Sequence, residues 1–356
     1  MSSAPILVSP PQQVQAIGVN GLILPAPMDL VGPWIQPYRG KIPGSTPAKR
    51  MDALRRKLDL FASLGLPGIF AHGFTTEMSP ERFTQIAQEC WQRGMQCGAA
   101  WGLDDTDPVG KGERMGRVAA LVDAGGKRIC IATLGDQEVD WDQGAGDAVK
   151  SDAMYAAFYG VAGYDVVVGD QPWPIASVHS GFPWRSTAIN TKFRAPQMYP
   201  NNWKKQWGRD RYERFLAWHL REWVEKEIAD RAKGIPVRPR TMTTEAYGWD
   251  LDDCVTFLVT YPYSIAWAEW YPEDIFITAI MVRNALAVRG FVGPRAVWNF
   301  QDKAKLTVDG ITGPNTLRAL GVKPYDSSSI VTRVLRSIGA SVGMYTPNLG
   351  EERAAA

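Results

Sequence analysis

The sequence predicts an α/β fold, specifically a (β/α)8 TIM barrel, on three observations. From about Val14 to Gly290, short apolar runs alternate with segments of helical period. The alternation yields eight strands over roughly 260 residues, close to the ~250 that such a barrel takes. Neither G-x-G-x-x-G nor G-x-x-x-x-G-K-[ST] occurs where a dinucleotide or phosphate loop needs it, since "GVNGLILP" lacks the spacing. That last observation turns the reading away from a doubly wound open sheet.

Taken in order, "VQAIGVNGLIL" (14–24) reads as the first strand. The segment 51–65 carries Leu54, Leu58 and Phe61 on one face and stops at Gly65, an amphipathic helix. "PGIFAHGF" (67–74) is the second strand. In 79–94, Ser79 is the N-cap, Pro80 takes the first helical position and Gly94 closes the helix. Strand three is 95–105, followed by a helix over 112–126. Strand four with its exit loop is 128–141, its helix 148–163, and strand five 164–173. Residues 174–193 show no helical period and read as irregular. Strand six (194–200), a long charged helix (209–234), strand seven (237–249), a short helix (252–261) and strand eight (264–271) complete the pattern.

Composition excludes several classes. The chain has 356 residues, with 39 Lys and Arg against 37 Asp and Glu, so no global basic field points to nucleic acid. No apolar stretch is long enough to span a membrane as a helix. The N-terminus, MSSAPILVSPPQQ, lacks the basic start and apolar run of a signal peptide, so action outside the cell predicts release by lysis or carriage on a particle. Cys90, Cys97, Cys130 and Cys254 form no C-x-x-C pair, and His72, His179 and His219 form no H-E-x-x-H. The cysteines read as buried and structural, His72 as a hydrogen-bonded rim residue, and neither a metal nor a cofactor is predicted.

Barrels place chemistry at the C-terminal ends of their strands, and here those ends are rich in acids and aromatics. A glycosidic bond needs one carboxylic acid to protonate the leaving oxygen and a second carboxylate as nucleophile or base. Indoles hold the apolar faces of sugar rings. Glu138 after strand four is the candidate general acid, with Glu245 or Asp136 as its partner carboxylate. Asp170 and Glu269 are candidates to position the sugar or water. Trp101, Trp141, Trp173, Tyr199, Trp203, Tyr247, Trp249 and Trp267 are the candidate sugar-binding rings, from a chain with 14 Trp. Asp104, Asp105, Asp140 and Asp147 read instead as caps or solvated acids.

The most specific signal is C-terminal, in "VWNFQDKAKLTVDGITGPNTLRALGV" (297–322). Ala296, Val297, Phe300 and Gln301, then Leu306, Val308, Asp309, Gly310, Gly313, Pro314, Thr316, Ala319 and Leu320, match the pattern A-V-x-x-F-Q … L-x-V-D-G-x-x-G-P-x-T … A-L. This stretch resembles the peptidoglycan-binding-like domain of cell-wall hydrolases, a small three-helix module, with Lys305 in place of the usual Gly. Val297, Phe300 and Leu306 are expected to face Leu317 and Leu320. The barrel loosely resembles lysozyme-type hydrolases that carry D-x-E at the fourth strand, although Asn20 stands where they usually have an acid on the first.

Together these resemblances imply a barrel over 1–276, a module over 277–326, and a helix and tail over 327–356. Segment 275–289 either doubles as the barrel's eighth helix and the module's first, or the module interrupts the barrel and 328–339 closes it. The implied function is an endolysin-like or virion-associated hydrolase of peptidoglycan or another polysaccharide, made in the cytoplasm and acting at the wall, with phage or particle components as possible partners. The reading from a different class is a non-catalytic glycan-binding or structural protein on an inactive barrel.

Overall fold

The computed structural model describes residues 33–35, 46–66, 68–74, 78–137, 141–142, 145–197, 211–238, 243–245, 250–260, 265–267, 273–293 and 295–326. Its strands are β1 (Pro33–Ile35), β2 (Gly68–Phe74), β3 (Gln96–Leu103), β4 (Thr133–Gln137), β5 (Val168–Asp170), β6 (Phe193–Arg194), β7 (Thr243–Glu245) and β8 (Ile265–Trp267). They form one sheet in the order β6-β5-β4-β3-β2-β1-β8-β7, with every pairing parallel. That order is the cyclic one of an eight-stranded parallel barrel, and β6 and β7 are its two ends among the described residues.

The helices are α1 (Pro47–Ser63), α2 (Pro80–Trp91), α3 (Pro108–Ala119), α4 (Ala145–Ala162), α5 (Trp184–Asn190), α6 (Arg211–Ala232), α7 (Leu251–Thr260), α8 (Glu273–Val288), α9 (Ala296–Lys303) and α10 (Pro314–Leu320). Their starts follow local chemistry. Thr46, Ser79 and Asp107 each accept a hydrogen bond from the backbone N–H three residues on, and a proline opens the helix after each. Among the described residues no helix is long and apolar enough to cross a membrane.

Three expectations need correction. The strand seated between β2 and β8 is Pro33–Ile35, while the expected first strand, 14–24, lies outside the described residues. In a parallel sheet a strand is chosen by its pairing on both edges, and local hydrophobicity alone does not fix it. The helix expected over 112–126 runs over Pro108–Ala119, because Asp107 and Pro108 cap it early and 122–128 turns back through a Val122–Arg128 bridge. The segment 174–193 is ordered, with a 3-10 turn at Ala176–Val178 and the helix α5.

Strand alternation sorts the core into two layers. Ile69, Ala71, Cys97, Ala99, Trp101 and Val168 face the helices and pack with Leu58, Phe61, Phe83, Met115 and Phe158. Phe70, Ala100, Ala132, Leu134, Phe193 and Ala195 form a separate cluster on the opposite, inner face. All four cysteines are buried and unpaired, and burial pushes the Cys130 thiol up to about 11. The tightest helix pair is α3 against α4. A Cβ on Gly112 would stand 2.0 Å from Met154 O, and one on Gly116 would stand 2.8 Å from Phe158 O, so the two glycines let the backbones touch.

The C-terminal segment is built onto this shell. Helix α8 follows β8, packs on α7, and its Asn284 Nδ2 donates to Leu64 O at the end of α1 (3.0 Å). Ile277, Ile280, Val282 and Leu286 are fully buried in the helix-side core, so the expected boundary at 276/277 falls inside a core helix. Val297, Phe300, Leu317 and Leu320 are buried as expected and Leu306 packs against them, while Phe291 meets the Phe300 ring edge-on at 5.6 Å. Gln301 is the hub. Its Nε2 donates to Asp309 Oδ1 (2.9 Å), Ile311 O (3.0 Å) and Thr316 Oγ1 (3.0 Å). Its Oε1 accepts from the N–H groups of Asp309 (3.2 Å) and Gly310 (2.8 Å). Thr312 N then donates to Asp252 Oδ1 on α7 at 2.5 Å. Residues 327–356 lie outside the described residues.

Candidate functional site

The inner face at the C-terminal strand ends is where a ligand would meet side chains, and alternation decides who reaches it. Asp136 lies on β4 two residues beyond Leu134, so it shares the inner face, and it is buried at 7 % exposure. Gln197, just past β6, donates to Asp136 Oδ1 at 2.6 Å and to Gln171 O at 3.2 Å. The backbone beyond β6 brings it there: Ala195 N donates to Asp170 O (2.8 Å) and Gln197 N to Pro172 O (3.0 Å). His72, paired in register with Ala100, is buried on the same face. The structure therefore brings a carboxylate and an amide together from two strand ends, with a buried imidazole on the same face. Gln197 was not a sequence candidate, and nothing local in the sequence marks it.

Asp170 goes the other way. It pairs in register with Gly135, one residue out of phase with Asp136, and so faces the helices. Arg194 binds it in a fork, with Nε at 3.1 and 3.0 Å from the two carboxylate oxygens and Nη2 at 2.7 Å from Oδ2. The same guanidinium donates to Thr187 and lies 5.4 Å from the centroids of both the Trp184 and Trp223 rings. Both partners are buried, so Asp170 ties the sheet to α5 and α6 and offers no surface to a sugar.

Three of the expected rings are described. Trp101 is in register with Gly135 and fully buried on the helix side. Trp141 is fully buried, with its indole N–H on Leu103 O (2.8 Å), closing the exit of β3. Neither presents a ring face. Trp173 is half-buried and stacks on His179, centroids 4.2 Å apart and planes 9° from parallel. For Glu245 and Trp267 only strand positions are described: Glu245 aligns with Trp267, Trp267 with Trp34, and Trp34 with Phe70. Glu138, Tyr199, Trp203, Tyr247, Trp249 and Glu269 lie outside the described residues.

The acid-rich loop after β3 is an internal ion-pair knot. Lys111 Nζ, nearly buried on α3, donates to Asp104 O (3.0 Å), the Asp104 carboxylate and Thr106 Oγ1 (3.1 Å). Burial pushes the Asp104 carboxyl up, but the hydrogen bonds and charge of Lys111 and the bonds from Thr106 outweigh it and hold the pKa at about 2. A groove of about 570 Å³ lies between α1 and α2, lined by Met51, Leu54, Ile86, Arg55 and Glu89. It sits on the helical shell, away from the strand ends, and Arg55 and Glu89 bind each other across it (2.7 Å).

Comparison with known proteins gives no family. No family model matches the chain, and no curated protein does. Among solved structures, it is similar to the PgaB (BpsB) glycoside hydrolase domain from Bordetella bronchiseptica, at 12 % identity over 71 % of this chain and 98 % of that one, with a TM-score of 0.42. It is similar to the N-acetylneuraminate lyase of Proteus mirabilis at 9 % identity over 88 % and 99 %, TM-score 0.36. A dihydrodipicolinate synthase from Oceanobacillus iheyensis follows at 10 % identity over 80 % and 89 %, TM-score 0.32. Likenesses of this size carry no weight on activity, so the architecture rests on the chain's own sheet order.

Proposed function

We propose that this chain is a glycan hydrolase working at the C-terminal ends of a (β/α)8 barrel that closes between β6 and β7. Glu138 is its general acid, Asp136 or Glu245 the partner carboxylate, and α8 to α10 a peptidoglycan-binding-like module. The observation that supports this most is the placement of Asp136: an inward-facing buried carboxylate at the end of β4, held by Gln197, two residues before Glu138. Trp173, Glu269, Tyr199, Trp203, Tyr247, Trp249 and Trp267 remain candidates to hold the sugar. In this reading the substrate is peptidoglycan, met after lysis or from a particle. A retaining site requires carboxyl groups ~5–5.5 Å apart and an inverting one ~6.5–9.5 Å.

One observation favours a binding protein on an inactive barrel: the two candidate carboxylates whose side chains are described are both engaged, Asp136 Oδ1 by Gln197 and Asp170 by Arg194. One experiment separates the two readings: incubate the full chain with insoluble peptidoglycan and assay released reducing ends, with Glu138→Gln and Asp136→Asn beside wild type. Release by wild type and by neither variant establishes the hydrolase. Sedimentation with the polymer but no release establishes the binding protein. Neither release nor sedimentation sinks both.

A further inference from the structure

The loop between β5 and α5 holds a constellation that the carboxylate pair does not use. His179 Nδ1 lies 2.8 Å from Asp142 Oδ2. Asp142 follows β4 and His179 follows β5, so the two come from neighbouring loops at the C-terminal ends of adjacent parallel strands. The imidazole lies flat on Trp173. Its backbone is pinned as well: His179 N donates to Ala176 O (3.3 Å), and its carbonyl accepts from Phe182 N (3.3 Å) and from the Trp184 indole N–H (2.8 Å). From α6, Glu222 accepts from Ser177 N (3.3 Å) and braces the turn that leads into the histidine. Only glycine lets the loop close over Asp142, because a Cβ on Gly181 would stand 2.9 Å from Asp142 O.

One ring nitrogen is fixed by a carboxylate and the ring plane by an indole, while the His179 side chain keeps 23 % exposure. Among the described residues nothing hydrogen-bonds Nε2. A carboxylate on Nδ1 sets the tautomer that leaves Nε2 as a proton acceptor, and it stabilises the imidazolium that forms afterwards.

The geometry points to His179 as an acid/base residue of the barrel mouth, with Asp142 as its positioning residue and Trp173 as the platform beneath it. The inference rests on the hydrolase reading and deepens it. Glu138 protonates the leaving oxygen as the Asp136 or Glu245 carboxylate bonds to the anomeric carbon and the bond to the leaving sugar breaks. Nε2 then takes a proton from the water whose oxygen bonds to that carbon, and the bond from the carbon to the carboxylate breaks. The imidazolium returns its proton, through solvent, to Glu138, so the net change is the addition of one water.

The test uses the full chain on insoluble peptidoglycan. His179→Ala is expected to lower kcat about 100-fold or more with KM within about threefold, and added imidazole to restore about tenfold of the loss. Asp142→Asn is expected to lower kcat about tenfold with KM unchanged. A second readout needs no variant. His72 and His219 are buried at 2 % and 0 %, so diethyl pyrocarbonate reads His179, and its modification of wild type should stop turnover at one equivalent. Near-normal kcat in His179→Ala, or full turnover after modification, overturns the assignment and leaves the hydrolase reading intact. Loss of kcat without imidazole rescue, matched by a fall in melting temperature, makes His179 structural and overturns it too. Wild type that releases no reducing ends overturns both readings together.

Discussion

Gln301 and Asp309 grip each other from both ends: the amide nitrogen of Gln301 donates to the Asp309 carboxylate at 2.9 Å, and its carbonyl oxygen accepts from the Asp309 backbone at 3.2 Å. The F-Q and D-G halves of the C-terminal motif are thus two sides of one hydrogen-bonded knot, closed by Thr316. The motif's polar residues are therefore structural in this chain, and any polymer it holds must be met by other side chains on the same surface.

Replacing Gln301 by Leu keeps the volume and removes every hydrogen bond that its amide makes to the knot. Unpaired buried groups cost about 1–3 kcal/mol each, and several partners can relax toward water, so a loss of about 3 kcal/mol is expected. Urea unfolding measures it, and hydrogen exchange should show protection lost first over residues 309–312. An unchanged midpoint would remove the hub role.

Asp170 and Arg194 are the interior counterpart. Removing one partner of a buried pair leaves a stranded charge and costs about 3–5 kcal/mol. Asp170→Leu should therefore drop the melting temperature steeply, and Asp170→Leu with Arg194→Met should recover much of the loss. If Asp170→Leu instead lowers kcat/KM at an unchanged melting temperature, Asp170 belongs to the site after all.

The Lys111–Asp104 pair predicts a pH signature. Asp104 is depressed to about 2 in the folded chain, against about 3.9 for a free Asp. Its contribution is complete above pH 4 and is lost as pH falls toward 2, because there the unfolded chain binds the extra proton. Lys111→Met should return Asp104 to the ordinary range and flatten the stability–pH slope between about pH 4 and 2 relative to wild type. Unfolding midpoints across that interval are the measurement, and identical slopes would refute it.

Gly112 is the most intolerant position of the helical shell. An alanine there meets a backbone carbonyl, which cannot rotate away, so α3 must lift from α4. Overpacking of this kind costs about 3 kcal/mol. Gly160, on α4, has nothing within 4 Å of its Cβ position and serves as the control, where alanine should be neutral or slightly stabilising. Equal midpoints for the two variants would contradict the close contact.

The strand–helix rhythm was legible because β2 to β5 carry apolar runs and Ser79–Pro80 marks a helix start in two letters. What sequence could not supply was phase. Asp136 and Asp170 both end strands, yet register alone sends the first inward and the second to Arg194. Trp141 misled for a related reason, since its indole N–H finds Leu103 O and the ring becomes core. The α5 helix escaped because it is short, polar and uncapped by a side chain, and it is held by its contacts to Arg194 and α4. Asp142 and His179 stand 37 positions apart, and only adjacent strands make them neighbours.

Helix α8 serves two masters with one length of backbone, roughly 24 Å of it at 1.5 Å per residue. A tether would let an attached domain sweep a volume and search. A shared helix gives it a constant bearing instead. Whatever α9 and α10 grasp would be presented to the strand ends at one set distance, as a caliper holds its work, and the spacing of cuts along a polymer would then be a property of this helix.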